Sequence, residues 1–143
     1  MVRTAPNSGV DVETTATIPG RDKIIELGIC LFEYDRQSGR IYKVFGSWEW
    51  LEDPGFPIPP EITNITGIAD EMVAGRRIDH HAVDDRLDWV VLVTATTRIS
   101  IVDSWRNNFP PSRQNIGACS RSDIDWRAEG IRSSARSKRQ GEP

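Results

Sequence analysis

The chain has few of the residues that build cross-linked or membrane-spanning proteins. Its 143 residues include 2 cysteines, Cys30 and Cys119, which are too few for a disulfide framework or a cysteine metal cluster. No apolar run approaches the roughly 18 residues of a membrane span. The first residues, MVRTAPNSG, lack the apolar stretch of a secretory signal. We therefore expect a cytoplasmic protein with reduced thiols.

The length and the charge distribution indicate one folded unit with an atypical end. A chain of 143 residues is typical of a single domain that buries roughly two-thirds of its unfolded surface. Residues 1–90 hold 9 Lys and Arg against 16 Asp and Glu, whereas residues 91–143 hold 9 against 5. A basic C-terminal region is typical of nucleic-acid binding. It would equally result if this region had not been selected as part of the fold.

Alternating side chains predict β-structure in the first third of the chain. In Gly9–Thr15, GVDVETT, two valines alternate with Asp11 and Glu13, so the two carboxylates share one face of a strand. The β-rich runs Lys23–Tyr34 and Ile41–Trp50 are joined by DRQSGR, which predicts a hairpin. Its aromatic residues are interpreted as core and cross-strand pairs: Phe32, Tyr34, Tyr42, Phe45, Trp48 and Trp50.

A proline-rich loop separates the hairpin from a helical region. The segment LEDPGFPIPP contains four prolines and is expected to be a loop. Short helices are predicted over Glu61–Gly67, Ile68–Ala74 and Asp79–Leu87. The apolar run Trp89–Val93 has the length of a strand.

The domain boundaries follow from these patterns. Residues 1–8 are expected to form a flexible N-terminus and residues 9–131 one domain. Within that domain, residues 94–117 show no helical or strand period and are expected to be irregular. Residues 132–143 are polar and basic, without a core-forming pattern, and are expected to form a disordered tail.

Two carboxylates on one strand face are candidates for a metal site. Carboxylate oxygens bind hard divalent cations. Two such cations, about 4 Å apart, can activate a water and stabilise the leaving oxygen in phosphodiester hydrolysis. A D-x-E pair is also common on exposed strands, so the spacing alone leaves Asp11 and Glu13 open between a catalytic and a solvated role.

Longer motifs connect this pair to a known family. VDVETT, IIELG, PPEITNITGI and DEMV follow one another in an order that resembles the DEDD exonuclease superfamily. The pattern is most similar to stand-alone relatives of the proofreading epsilon subunit of bacterial DNA polymerase III. The resemblance covers roughly Gly9 to Val93 and returns over Ala118 to Ile131.

The resemblance implies a fold, a reaction and a set of site residues. The fold would be α/β, a ribonuclease H-like mixed sheet with flanking helices. The reaction would be 3′–5′ removal of nucleotides from a single-stranded DNA or RNA end. Asp11 and Glu13 would be catalytic ligands of two Mg²⁺ or Mn²⁺ ions, and Thr14 and Thr15 would contact the terminal nucleotide. The family usually has glycine where this chain has Ala16. A DNA polymerase is a further implied partner, and a membrane is not.

Two motifs of the family are missing. These are H-N-x-x-F-D, which supplies a third carboxylate, and a later H-x-x-x-x-D, which supplies a general base and a fourth. No histidine follows His81, and His80 with Asp85 match the second spacing too early in the chain. We interpret these histidines as solvated helix residues and expect the chain to have lost most exonuclease activity. The alternative is a non-catalytic remnant that binds nucleic acid or protein.

The genetic code offers an explanation for the gap. Residues Thr96–Arg106, TTRISIVDSWR, can be encoded by bases that give HNADFDRRFLE when read one base earlier. Asn107–Gly117 in the same frame give EQFPAVASEHW, after which the family-like ACSRSDIDW resumes. We hypothesise a compensated frameshift, either real or a sequencing error, against the alternative of a divergent segment. Sequencing the gene across these codons tests it, because bases that do not allow the second reading exclude it.

Overall fold

The computed structural model describes residues 4–15, 22–88, 90–95 and 116–119, and they form one sheet with three short helices. The mixed sheet with helices that the sequence predicted is confirmed. The elements are β1 (Thr4–Thr14), β2 (Ile24–Asp35), β3 (Ile41–Leu51), α1 (Pro60–Thr66), α2 (Asp70–Val73), α3 (His80–Leu87), β4 (Leu92–Ala95) and β5 (Ile116–Cys119).

The five strands have the order β3-β2-β1-β4-β5, with β1 at the centre. β1, β2 and β3 form an antiparallel meander. β4 pairs parallel to β1, and β5 pairs parallel to β4. β1 is paired on both sides over residues 7–10, directly before the two carboxylates, which are paired with β2.

β1 begins five residues before the predicted position. Residues 4–8, expected to lie in a flexible N-terminus, form the first half of this strand. Pro6 and Asn7 are turn-forming residues, and they led the sequence pattern to predict a later start. The strand nevertheless forms because Ala5 and Ser8 are buried and because β2 pairs with the whole segment. Pro6 lies just before the first β1–β4 pair, Asn7 with Leu92, where the missing amide hydrogen is tolerated.

The predicted hairpin is confirmed as β2 and β3. Its turn is organised by Asp35, whose Oδ1 accepts hydrogen bonds from the backbone N–H groups of Gln37 (2.7 Å) and Ser38 (3.0 Å). Gly39 has a φ of 70°, a left-handed conformation that glycine adopts without steric cost.

The aromatic residues of the hairpin divide into two groups. Trp48 and Trp50 pack against the main core, as predicted, and the Arg86 guanidinium lies 4.5 Å and 5.5 Å from their ring centroids. Tyr42 and Phe45 are not core residues, since their side chains are 77% and 40% exposed. The first half of β3 is an edge without a helix beneath it in the described part of the chain, so its side chains face solvent.

The three predicted helices are present with shifted ends. α1 ends at Gly67, which has a φ of 78° and donates its N–H to the carbonyl of Thr63. α2 is shorter than predicted, and the Asp70 carboxylate at its start accepts the N–H of Ile58. α3 begins after Asp79, which caps it by accepting the N–H of Ala82.

The main core lies between one face of the sheet and α3. Val83 and Leu87 of α3 pack against a cluster that includes Val10 and Ile29. Burial of each such side chain contributes roughly 1.5–3 kcal/mol. Val10 and Val12 therefore hold the core face of β1, which leaves Asp11 and Glu13 on the opposite face.

The last described elements differ from the predictions. The predicted strand Trp89–Val93 is observed as β4, shifted toward the C-terminus. Two parts of the segment 94–117, expected to be irregular, belong to β4 and β5. The rest of that segment and the tail 132–143 lie outside the described residues. None of the helices described is long and apolar enough to cross a membrane.

Candidate active site

The two carboxylates predicted from the sequence lie on one face of the central strand. Asp11 is exposed and Glu13 is partly buried. Their cross-strand neighbours on β2 are Gly28 and Glu26, respectively. The structure therefore brings Asp11 and Glu13 together at the C-terminal end of β1, on the side of the sheet that α3 leaves free.

A second pair of carboxylates, Glu26 and Glu49, lies on the same face. Glu26 is opposite Glu13, and Glu49 is opposite Gly28, which itself lies opposite Asp11. Sequence analysis missed this pair, because only the register of the hairpin shows that the two residues share a face with Asp11. The alternation in IIELG and SWEW was the available signal. We call this side of the sheet the carboxylate face.

Crowding of these groups raises two pKa values. Partial burial, followed by the charge of Asp11, raises the pKa of Glu13. Partial burial also raises the pKa of Glu26, and the charge of Glu49 and a hydrogen bond between the two carboxyl groups add to that effect. A carboxylate face with this much negative charge is a favourable position for a cation and an unfavourable one for a bare phosphate.

The residues present fit an open cation site. Within the described ranges, no group of three or more His, Cys, Asp or Glu side chains converges as a metal cage. Mg²⁺, however, is commonly held by one or two carboxylates, with waters and substrate phosphates completing its octahedral shell. Asp11 and Glu13 satisfy that smaller requirement, and partial burial together with the charge of Asp11 raises the pKa of Glu13.

A cleft of about 620 Å³ opens on the carboxylate face. Its volume is within the range of small-molecule sites. Two glycines form its floor, carboxylates lie at one end and a threonine at the other. The lining includes Gly9, Asp11, Gly28, Cys30, Glu49 and Thr94.

The two threonines after the carboxylates have different surroundings. Thr15 is buried, its N–H donates to the carbonyl of Lys23 and its Oγ1 accepts the N–H of Lys23. The Thr15 side chain thus closes the end of the β1–β2 pair. Thr14 is partly buried next to a register shift between β1 and β2. A contact of either with a nucleotide stays a prediction, and Ala16 lies outside the described residues.

Comparisons with known proteins agree with this geometry. No family model matches the chain. The PolC-type DNA polymerase III of Pediococcus pentosaceus is 42% identical over 65 residues, which cover 46% of this chain and 4% of the polymerase.

Solved structures give the wider likeness. The nuclease domain of 3′hExo, a DEDDh family member bound to rAMP, aligns with a TM-score of 0.54 at 13% identity, over 77% of this chain and 64% of that one. Exonuclease I from Methylocaldum szegediense aligns with a TM-score of 0.52 at 19% identity, over 80% and 27%. The chain has the ribonuclease H-like fold of the DEDD exonucleases. It spans 64% or less of each of these relatives.

Within this DEDD exonuclease fold, the two histidines lie far from the carboxylates. His80 and His81 are exposed on α3, and His81 Nδ1 is 3.1 Å from Asp85. Since α3 packs on the core face, the sheet separates this H-x-x-x-x-D match from Asp11. The match therefore cannot supply the general base of the carboxylate face, and the sequence holds no other histidine.

Proposed function

We propose that the carboxylate face binds a divalent cation, Mg²⁺ or Mn²⁺, together with the 3′ end of single-stranded DNA or RNA. The supporting observation is the position of Asp11 and Glu13. They lie on the central strand of an exonuclease fold, and Asp11 lines a cleft large enough for a nucleotide. The site is that of a metal-dependent 3′–5′ exonuclease, which hydrolyses phosphodiester bonds at nucleic-acid ends.

Each residue of the site has a defined task in this proposal. Asp11 and Glu13 would hold the cation, which, when bound, would polarise a phosphate and lower the pKa of a bound water. Thr14 and Thr15 flank the terminal nucleotide. The family's general base and two further carboxylates are absent from the sequence at their usual positions. A positioned base contributes roughly 10²–10⁴-fold to the rate, so this chain hydrolyses its substrate far more slowly than a complete exonuclease.

Cation binding and digestion are measured with the full chain. Mn²⁺ binding is followed by water proton relaxation, and digestion by shortening of a 5′-labelled single-stranded oligonucleotide in Mg²⁺, in Mn²⁺ and in EDTA. We expect Mn²⁺ to bind, digestion to be slow and EDTA to abolish it. Asp11→Ala is expected to remove both signals. Asp85→Ala, the same change on the exposed surface of α3, is the control that retains them.

The main alternative is a remnant that binds nucleic acid or protein without catalysis. Its support is the basic composition of residues 132–143, including Arg132, Arg136, Lys138 and Arg139, which lie outside the described residues. Binding through such a tail would weaken steeply with salt and would need no divalent cation. Oligonucleotide binding that persists in EDTA and in Asp11→Ala would contradict the exonuclease proposal and favour the remnant.

Partnership and location are finer parts of the proposal. The likeness to a 65-residue part of a PolC-type polymerase supports association with a DNA polymerase. A cytoplasmic location stays a prediction from the sequence.

A further inference from the structure

Two glycines on the carboxylate face are not required by the fold. Gly9 and Gly28 lie inside strands and are not among the described glycines with positive φ. A Cβ built on Gly28 would meet its nearest neighbour, the Asp11 carbonyl oxygen, at 3.9 Å, and one on Gly9 would meet Phe32 at 3.7 Å. Both are ordinary contacts. Glycine inside a strand weakens it and often marks the close approach of a ligand.

A polar pair lies beside Gly9 at the end of the cleft away from the carboxylates. Asn7 is 6% exposed, and its Nδ2 donates to the Thr94 Oγ1 at 3.3 Å. The Oδ1 of Asn7 is buried and has no hydrogen-bond partner among the described residues. An unpaired buried amide oxygen is costly, so its retention here indicates a purpose other than stability.

The Asn7 contact defines what Thr94 can do. The Thr94 oxygen accepts from Asn7, so its own hydroxyl hydrogen can be donated to a ligand in the cleft. Thr94 lines the cleft and is paired with Gly9 across the β1–β4 ladder. The Thr94 hydroxyl, which is oriented by the buried Asn7 amide and lies beside Gly9, is therefore suited to donate a hydrogen bond to a phosphate oxygen.

We infer that Gly9, Thr94 and Asn7 form a second nucleotide subsite, which rests on the proposed function because it extends the same cleft. The terminal nucleotide lies over Gly28 beside Asp11, and the next nucleotide lies over Gly9 with a phosphate oxygen accepting from Thr94. Asn7 is a positioning residue that orients the Thr94 hydroxyl. Gly9 and Asp11 are two residues apart on β1, roughly 7 Å, and Thr94 is paired with Gly9, so a phosphate at Thr94 lies one two-residue step along the strands from Asp11.

The test compares ligands that fill one or two subsites. Calorimetry in Mg²⁺ gives the Kd of thymidine 5′-monophosphate and of the 5′-phosphorylated thymidine dinucleotide for the full chain. The 5′-phosphate of the dinucleotide is the one expected at Thr94. We expect the dinucleotide to bind more tightly. Thr94→Val, which keeps the side-chain shape, should weaken dinucleotide binding roughly tenfold or more and leave the mononucleotide unchanged. Thr94→Ser retains the hydroxyl and should retain the affinity, whereas Gly9→Ala should weaken only the dinucleotide.

Controls separate a subsite from a general effect on the fold. Thr63→Val makes the same chemical change on α1, outside the cleft lining, and should alter neither Kd. Asn7→Ala should weaken dinucleotide binding in the wild-type background and have no further effect in Thr94→Val.

The possible results distinguish the inference from the proposed function. If Thr94→Val and wild type bind the dinucleotide equally, or Thr94→Ser loses as much as Thr94→Val, the second subsite is refuted while mononucleotide binding still supports the first. If neither nucleotide binds the wild-type chain, the proposed function fails and the second subsite fails with it.

Discussion

Replacement of Gly28 by alanine is expected to stabilise the protein and impair nucleotide binding. Gly28 lies inside β2 between Asp11 of β1 and Glu49 of β3. Its φ is not positive, so residues other than glycine can adopt its backbone conformation. A Cβ at this position would lie 3.9 Å from its nearest neighbour, the Asp11 carbonyl oxygen. Neither conformation nor packing therefore opposes the substitution.

The size of both effects follows from the structure. Glycine in a strand interior costs roughly 0.5–1 kcal/mol relative to alanine, chiefly through the greater freedom of the unfolded chain. That gain raises the Tm of a chain this long by about 2–4 °C. The new methyl group rises from the floor of the cleft, and steric overlap with a closely bound ligand typically costs about 1–3 kcal/mol. The affinity for thymidine monophosphate should therefore fall roughly tenfold.

The assay pairs thermal unfolding with calorimetric titration of thymidine monophosphate in Mg²⁺. Gly46→Ala is the matched control in the neighbouring strand β3. A Cβ at Gly46 would lie 2.9 Å from the Trp48 ring, so we expect this variant to lose stability.

Two results would refute the reasoning about Gly28. A lower Tm in Gly28→Ala would show that the fold does require glycine at this position. An unchanged Kd with a raised Tm would show that no ligand approaches the floor of the cleft. The opposite responses expected of Gly28→Ala and Gly46→Ala make an accidental match improbable.

Two further predictions concern charge and pH. The pKa of Glu26 is raised above its ordinary value of 4.5. The protonated carboxyl group therefore stabilises the fold at low pH, and that stabilisation is lost as the pH rises through the raised pKa. Glu26→Gln should raise the Tm at pH 7 and bring no gain below about pH 4.5. An equal gain at both pH values would contradict this. Asp53 accepts the N–H groups of Gly55 and Gly75, which lowers its pKa below 3.8. Asp53→Asn should lower the urea midpoint at pH 7, with a difference that shrinks as pH falls below about 3.8; a constant difference would contradict this cause.

Local patterns were enough to predict the hairpin, the short helices and the shared face of Asp11 and Glu13. These features depend on residues close in sequence, as in the alternation of GVDVETT and the turn at Asp35. The start of β1 was misplaced because turn-forming residues at Pro6 and Asn7 outweigh the burial of Ala5 in a local reading.

The remaining site residues depend on pairing between distant strands. Glu26 and Glu49 join Asp11 through the register of the hairpin. Thr94 reaches Gly9 and Asn7 through a parallel pair that spans more than 80 residues of sequence. Neither relation follows from spacing along the chain. The exposure of Tyr42 likewise depends on which side of β3 remains uncovered, a property of the whole sheet.

The parallel pair also bears on the proposed change of reading frame. Ala95, the last described residue of β4, lies opposite Val10, one residue before Asp11. Because parallel strands bring their C-terminal ends to the same edge of a sheet, a carboxylate encoded directly after β4 would enter beside Asp11. The alternative reading HNADFD begins at the last base of the Ala95 codon. The hypothetical motif would thus begin at the C-terminal end of β4, the strand that pairs with β1 just before Asp11.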